Sequence, residues 1–146
     1  MKSQGAFAVI INSERNKILL VKRKDFPIWD LPGGTIESGE SADEAVVRET
    51  IEEVGYITKI QQKIGEYDRV KFNDIQHVFL TEIVGGKEIK NGEETSDIKW
   101  FNLNQLPLLM VPHRKEQIRD YIRGDYPSTK VLKDSWWLVK IMELIK

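Results

Sequence analysis

Residues 34 to 56, Gly34 to Tyr56, read GTIESGESADEAVVRETIEEVGY, and seven acidic residues there stand against a single base, Arg48. Both ends are punctuated. Ser41 followed three residues later by Glu44 is a capping-box pattern, in which each side chain satisfies an orphan backbone donor at a helix start. Gly55 supplies the stop, because glycine takes the left-handed conformation after a last turn without steric cost. The two signals predict a helix of about 13 residues over 42–54. At about 100° per residue, Val46, Val47, Thr50, Ile51 and Val54 gather on one side, and Glu49, Glu52 and Glu53 on the other. The small Ala42 and Ala45 fall toward the acidic side.

An arbitrary glutamate-rich helix is most often a solvated face. Here lysines at the complementary spacing are missing from 42–54, and the acids crowd the C-terminal half, where the helix dipole disfavours negative charge. Three carboxylates spaced i, i+3 and i+4 suit a hard divalent cation with oxygen ligands, and magnesium bridging to phosphate is the natural chemistry. Such a cation lowers the pKa of a bound water and neutralises phosphate oxygens, while a carboxylate left off the metal serves as general base.

Before the helix, AFAVIIN and KILLVKR are short apolar runs separated by SERN, a hairpin signal, and IWDLPGG reads as a third extended piece ended by glycines. After the helix, YITKIQQKIGEYDRV, IQHVFLTEIV and SDIKWFNL read as strands, and RKEQIRDYIRG and KDSWWLVKIMELIK as two closing helices. This order predicts an α+β fold, a mixed β-sheet sandwiched between α-helices. At 146 residues, with no repeat, low-complexity tract or linker, a single domain over 1–146 is expected. A net charge of −1 gives no sequence-wide attraction to nucleic acid or an anionic membrane, so no DNA binding and no membrane association are expected. The absence of cysteine excludes disulfides, thiolate metal sites and cysteine nucleophiles. The N-terminal apolar run is broken by Asn12, Ser13, Glu14 and Arg15, so no leader is expected and the cytoplasm is the expected location.

The spacing Gly34, Glu40, Arg48-Glu49, Glu52-Glu53, Gly55 resembles the Nudix box, G-x5-E-x7-R-E-U-x-E-E-x-G-U, with all seven fixed letters in register. At background frequencies the chance of such a match is on the order of 10⁻⁸ per start position. Thr50 and Tyr56 stand where the family prefers aliphatic residues, though each keeps an apolar part. WDLPGG before the box and EETSDIKWFNLNQLP after it are also similar to the family's usual flanks.

The resemblance implies a Nudix hydrolase, a MutT-like metal-dependent enzyme that cleaves the pyrophosphate linkage of a nucleoside diphosphate joined to another moiety. It implies Glu49, Glu52 and Glu53 as metal ligands with the Gly34 carbonyl, Mg2+ as the cofactor with Mn2+ as a substitute, and a nucleotide-type small molecule as the partner. Arg48 would orient a glutamate and Glu40 would support the box, with Glu52 or Glu53 as the base. Outside the box, Arg23 is a candidate phosphate contact, Glu94 (ahead of Glu93) a further acid, and Trp29 a stacking surface for a base, with packing at the sheet edge as its competing reading. His77 reads as structural, His113 beside Arg114 as a lesser substrate candidate, and Trp136-Trp137 as a core or dimer contact; a homodimer stays open.

The proline that follows the box in ADP-ribose pyrophosphatases has no counterpart between Gly55 and Pro107, and the marks of NADH and coenzyme A pyrophosphatases are also missing. A pyrophosphohydrolase of nucleoside triphosphates, including modified ones, is favoured. The alternatives are an ADP-ribose, nucleotide-sugar or dinucleoside polyphosphate hydrolase, or a non-catalytic nucleotide-binding regulator.

Overall fold

The computed structural model describes residues 2–89 and 92–132, so the closing helix expected over 133–146, with its tryptophan pair, lies outside the described residues. In chain order the elements are β1 (Ser3–Ile10), β2 (Lys17–Arg23), β3 (Trp29–Asp30), β4 (Gly33–Thr35), α1 (Ala42–Val54), β5 (Tyr56–Arg69), β6 (Asp74–Gly86), β7 (Thr95–Asn102), α2 (Pro112–Arg123) and β8 (Ser128–Val131), with a 3-10 turn at Val70–Phe72. They build a five-stranded sheet in the order β4-β1-β6-β5-β8 and a three-stranded sheet in the order β3-β2-β7. The larger sheet is mixed: β1 runs parallel to β6 and antiparallel to β4, while β5 runs antiparallel to β6 and parallel to β8.

Period-two alternation explains why the strands are apolar on both sides. In β1, Ala6, Ala8 and Ile10 join a core with Ala45, Val46 and Val54 of α1. Val9 belongs to a second core with Ile118 and Tyr121 of α2. β2 divides the same way, with Leu19 and Val21 in the first core and Ile18 and Leu20 in the second. The mixed sheet between helices expected from the element order is present, with the three-stranded sheet beside it.

Three local expectations change. The hairpin between the first two runs does form a tight turn, with Asn12 Oδ1 accepting from the amides of Asn16 and Lys17 at 2.9 Å each. Beyond a single bridge between Ile11 and Ile18, however, β1 and β2 diverge into different sheets. β1 instead pairs with β6 along its length and with β4 over Gly5–Phe7, while β2 pairs with β3 and β7. IWDLPGG is likewise two strands in two sheets, β3 and β4, broken at Leu31-Pro32, where proline lacks the amide a ladder needs. That crossing places Asp30 and Gly34 on different sheets a few residues apart. β8, which lengthens the larger sheet beyond β5, had no expected counterpart.

Candidate active site

α1 starts and ends where its local signals place it. Glu44 donates its amide to Ser41 Oγ at 3.1 Å, the Ser41 amide donates to Glu44 Oε1 at 3.0 Å, and Gly55 closes the helix at φ 84°. The buried stripe is rotated from the one expected. Ala45, Val46, Thr50 and Val54 are buried, whereas Ile51 is 40% exposed, so Ala45 belongs to the core and Ile51 does not. Thr50 is accommodated because its hydroxyl donates to the Val46 carbonyl at 2.7 Å, leaving the methyl to the core. The rotation sorts the glutamates: Glu49 and Glu53 border the buried stripe, and Glu52 lies farther out, with its side chain 59% exposed against 19% for Glu49.

Arg48 is the hub of the acidic face. Its Nε and Nη2 grip Glu40 at 2.6 and 2.9 Å, and its Nη1 donates to Glu49 Oε1 at 3.1 Å and Glu52 Oε2 at 3.2 Å. Nη2 also reaches the Thr35 carbonyl at 3.1 Å, tying α1 to β4. The paired guanidinium, with help from the Glu37 amide, holds the Glu40 carboxyl down to about 2. Glu53 moves the other way. Burial pushes it up to about 7, and the like charges of Asp30 and Glu49 add to this, against hydrogen bonds from the Gly33 amide (3.1 Å) and the Thr95 hydroxyl (3.3 Å). Burial also raises Glu49, with Arg48 opposing.

Among the described residues no three acidic or histidine side chains close tightly enough on one point to enclose a metal ion. Arg48 supplies the counter-charge to Glu49 and Glu52, while Glu53 turns to Gly33 and Thr95. The donor set fits a hard cation: it is all oxygen, and burial raises two of its carboxyls, Glu49 and Glu53, which a cation would relieve. Gly34 fits too, since a Cβ there would stand 2.6 Å from the Glu49 carboxyl carbon. Only glycine lets β4 come this close.

Two cavities flank Glu53. One, of about 690 Å³, lies along β4 and α1 and is lined by Gly34, Glu49 and Glu52; the other, of about 500 Å³, is lined by Phe7, Arg23, Asp30, Gln76, His113 and Arg114. Glu53, Glu93 and Glu94 line both, so the two join as one trough.

The structure brings Arg23 and Glu94 to this trough together with the box glutamates. Arg23 is held there by Asp25, at 2.9 and 2.5 Å. Trp29 is not brought to either cavity; its ring packs edge-on against Phe101 at 4.8 Å, following the sheet-edge reading. His77 is tied to Gln4 at 2.7 Å and Lys63 at 3.0 Å, away from the trough. His113 lines the second cavity, with both ring nitrogens buried and unpaired and its pKa driven well below the usual histidine range by burial, so the ring is neutral.

What the sequence did not show is the floor of that cavity. Arg114 donates from Nε to Asp30 Oδ1 at 2.5 Å and from Nη1 to Gln76 at 2.8 Å and Gln117 at 3.0 Å, and its guanidinium carbon lies 3.7 Å from the centre of the Phe7 ring. Only the Arg114–Gln117 spacing on α2 could have been noticed, because Asp30 lies 84 residues away.

The family model for the NUDIX domain matches residues 2–121, box and trough included. The chain is a Nudix hydrolase. A Bacillus subtilis (strain 168) protein named "Putative 8-oxo-dGTP diphosphatase" is 50% identical over 146 residues, 100% of this chain and 97% of that one. An ADP-ribose pyrophosphatase of Methanocaldococcus jannaschii is 43% identical over 115 residues, 74% of this chain and 67% of that one. Among solved structures, an ADP-ribose pyrophosphatase from Streptococcus suis superposes with a TM-score of 0.72 at 26% identity, covering 90% of this chain and 100% of its own. The MutT NUDIX hydrolase from Burkholderia pseudomallei gives 0.73 at 25% identity, covering 82% and 98%. In this Nudix hydrolase no described helix is long and apolar enough to cross a membrane.

Proposed function

We propose that this Nudix hydrolase is a magnesium-dependent pyrophosphohydrolase of nucleoside triphosphates, including modified ones. The observation that carries the reading is the joined trough, with the box glutamates along one half, a polar cavity of about 500 Å³ with room for a nucleobase in the other, and Glu53 between them. A nucleotide laid along it would set its phosphates over α1 and its base beside Asp30 and Arg114. The Bacillus subtilis relative, similar over nearly the full length of both chains, supports a nucleoside triphosphate as substrate.

Glu49, Glu52 and Glu53, with the Gly34 carbonyl, would hold Mg2+, with Mn2+ a substitute. When bound, the cation neutralises phosphate oxygens and acidifies a water. Arg48 keeps Glu49 and Glu52 oriented and is itself anchored by Glu40 through two hydrogen bonds. Glu52 or Glu53 would accept the proton of the attacking water. Arg23 stands at the trough to contact phosphate, and Glu94 adds an acid from the facing loop.

A second reading, hydrolysis of ADP-ribose, is favoured by the names of the Methanocaldococcus and Streptococcus relatives. One experiment separates the two. Release of pyrophosphate or phosphate is followed with Mg2+ from canonical and 8-oxo nucleoside triphosphates, ADP-ribose and dinucleoside polyphosphates, beside Glu52→Gln and Glu53→Gln. Metal-dependent pyrophosphate release from triphosphates, lost in at least one variant, is expected. Turnover of ADP-ribose alone would replace the first reading with the second. Metal-dependent stabilisation by a nucleotide without turnover would make the chain a binding module.

A further inference from the structure

The polar floor of the second cavity is not used by the hydrolytic chemistry. Arg114 is only 3% exposed, and Asp30, Gln76, Gln117 and the Phe7 ring hold its guanidinium in one orientation. Nε and Nη1 are fully engaged. Nη2 makes no hydrogen bond to the described residues and, unlike the ring nitrogens of neighbouring His113, is not sealed from solvent. Since Arg114 lines the cavity, this nitrogen is the guanidinium's remaining donor for a group that fills it.

The charge of the cavity decides what that is. Its lining carries four cationic side chains against five acidic ones, and His113 is neutral. A phosphate would need a surplus of positive charge; a near balance suits an uncharged polar group. A nucleobase is such a group.

We infer that Arg114 is a specificity-determining residue that donates from Nη2 to a keto oxygen of the base, so that the substrate class is the keto-purine nucleotides. The inference rests on the nucleotide-hydrolase reading above and deepens it. A guanine-type base offers its 6-keto oxygen to the guanidinium; adenine offers an amino group there, setting donor against donor and leaving Nη2 without an acceptor. Because the guanidinium is already immobilised, little ordering entropy is lost when the base arrives.

The test compares kcat/KM of the wild-type enzyme with Mg2+ for GTP, ITP, ATP and 2-aminopurine riboside triphosphate. ITP keeps the 6-keto group and lacks the 2-amino group; the 2-aminopurine compound has the reverse. GTP and ITP are expected to agree within a few-fold, with ATP and the 2-aminopurine compound lower by about 10- to 100-fold. Arg114→Lys keeps a charge opposite Asp30 but loses the planar fork, and should bring the ITP to 2-aminopurine ratio within a few-fold, with circular dichroism confirming the fold. Should that variant not fold, the analogue series in the wild type decides alone. Equal or faster turnover of the 2-aminopurine compound, or a folded Arg114→Lys enzyme with an unchanged ratio, overturns the inference. If no triphosphate is hydrolysed, the functional reading fails separately, and calorimetric titration with GMP and AMP decides this one: tighter GMP supports it, and equal affinities refute it.

Discussion

Glu53 offers a quantitative check on the metal-free protein. Burial raises its carboxyl from an ordinary 4.5 to about 7 in the folded chain. The folded state therefore holds this proton more tightly than the unfolded state. Stability linked to it is fully present below pH 4.5 and is lost as the pH rises through 7. The displacement of roughly 2.5 pH units corresponds to about 3 kcal/mol, fully expressed near pH 8. Glu53→Gln keeps an acceptor for the Gly33 amide but cannot ionise. In EDTA at pH 8 the variant should be more stable than the wild type by about 3 kcal/mol, or about 6–12 °C in melting temperature for a domain of this size. At pH 5 the gap should shrink to about 1 kcal/mol, since the folded wild type has by then taken up its proton. Mg2+ added at pH 8 should raise the wild type and not the variant. Thermal melts by circular dichroism at the two pH values, with EDTA and with Mg2+, measure all of this. A gap that is the same at pH 5 and pH 8 in EDTA would show that Glu53 does not titrate in this range and would refute the reasoning. Glu40, held at about 2, contributes stability that is fully present above pH 4.5 and is lost as the pH falls through 2, a separate window.

Arg48→Ala should lower metal affinity or kcat/KM by about 10- to 100-fold, measured by Mg2+-dependent turnover, because Glu40, Glu49 and Glu52 lose their common anchor; Arg48→Lys should recover little, lacking the fork that grips Glu40. Gly34→Ala places a methyl 2.6 Å from the Glu49 carboxyl carbon and should depress Mg2+ affinity, read by titration calorimetry, while circular dichroism stays unchanged. Asp30→Asn leaves Arg114 buried without its counter-charge and should cost about 3–5 kcal/mol in urea unfolding, whereas Trp29→Phe should leave turnover within a few-fold because its ring faces Phe101.

The sequence by itself determined what local chemistry can write. The bounds of α1 follow from Ser41, Glu44 and Gly55, whose hydrogen bonds reach only three or four residues. The Nudix box follows from side chains carried on that same helix and the loop before it, and β5, β6 and β7 follow from strand-like stretches joined by polar turns. Tertiary structure decided the rest. The alternation of apolar residues in β1 and β2 is the same whether they pair or part, and only their long-range partners, β4 and β6 for one and β3 and β7 for the other, put them in different sheets. Helical spacing placed Ile51 with the core and Ala45 with the acids, but packing against β1 turned the stripe and so left Glu49 and Glu53 half-buried and Glu52 outside. The floor of the second cavity joins Asp30, Gln76 and Arg114 across separations of 84 and 38 residues. No period or spacing announces such a contact, because it exists only once the strands and α2 have been stacked against one another.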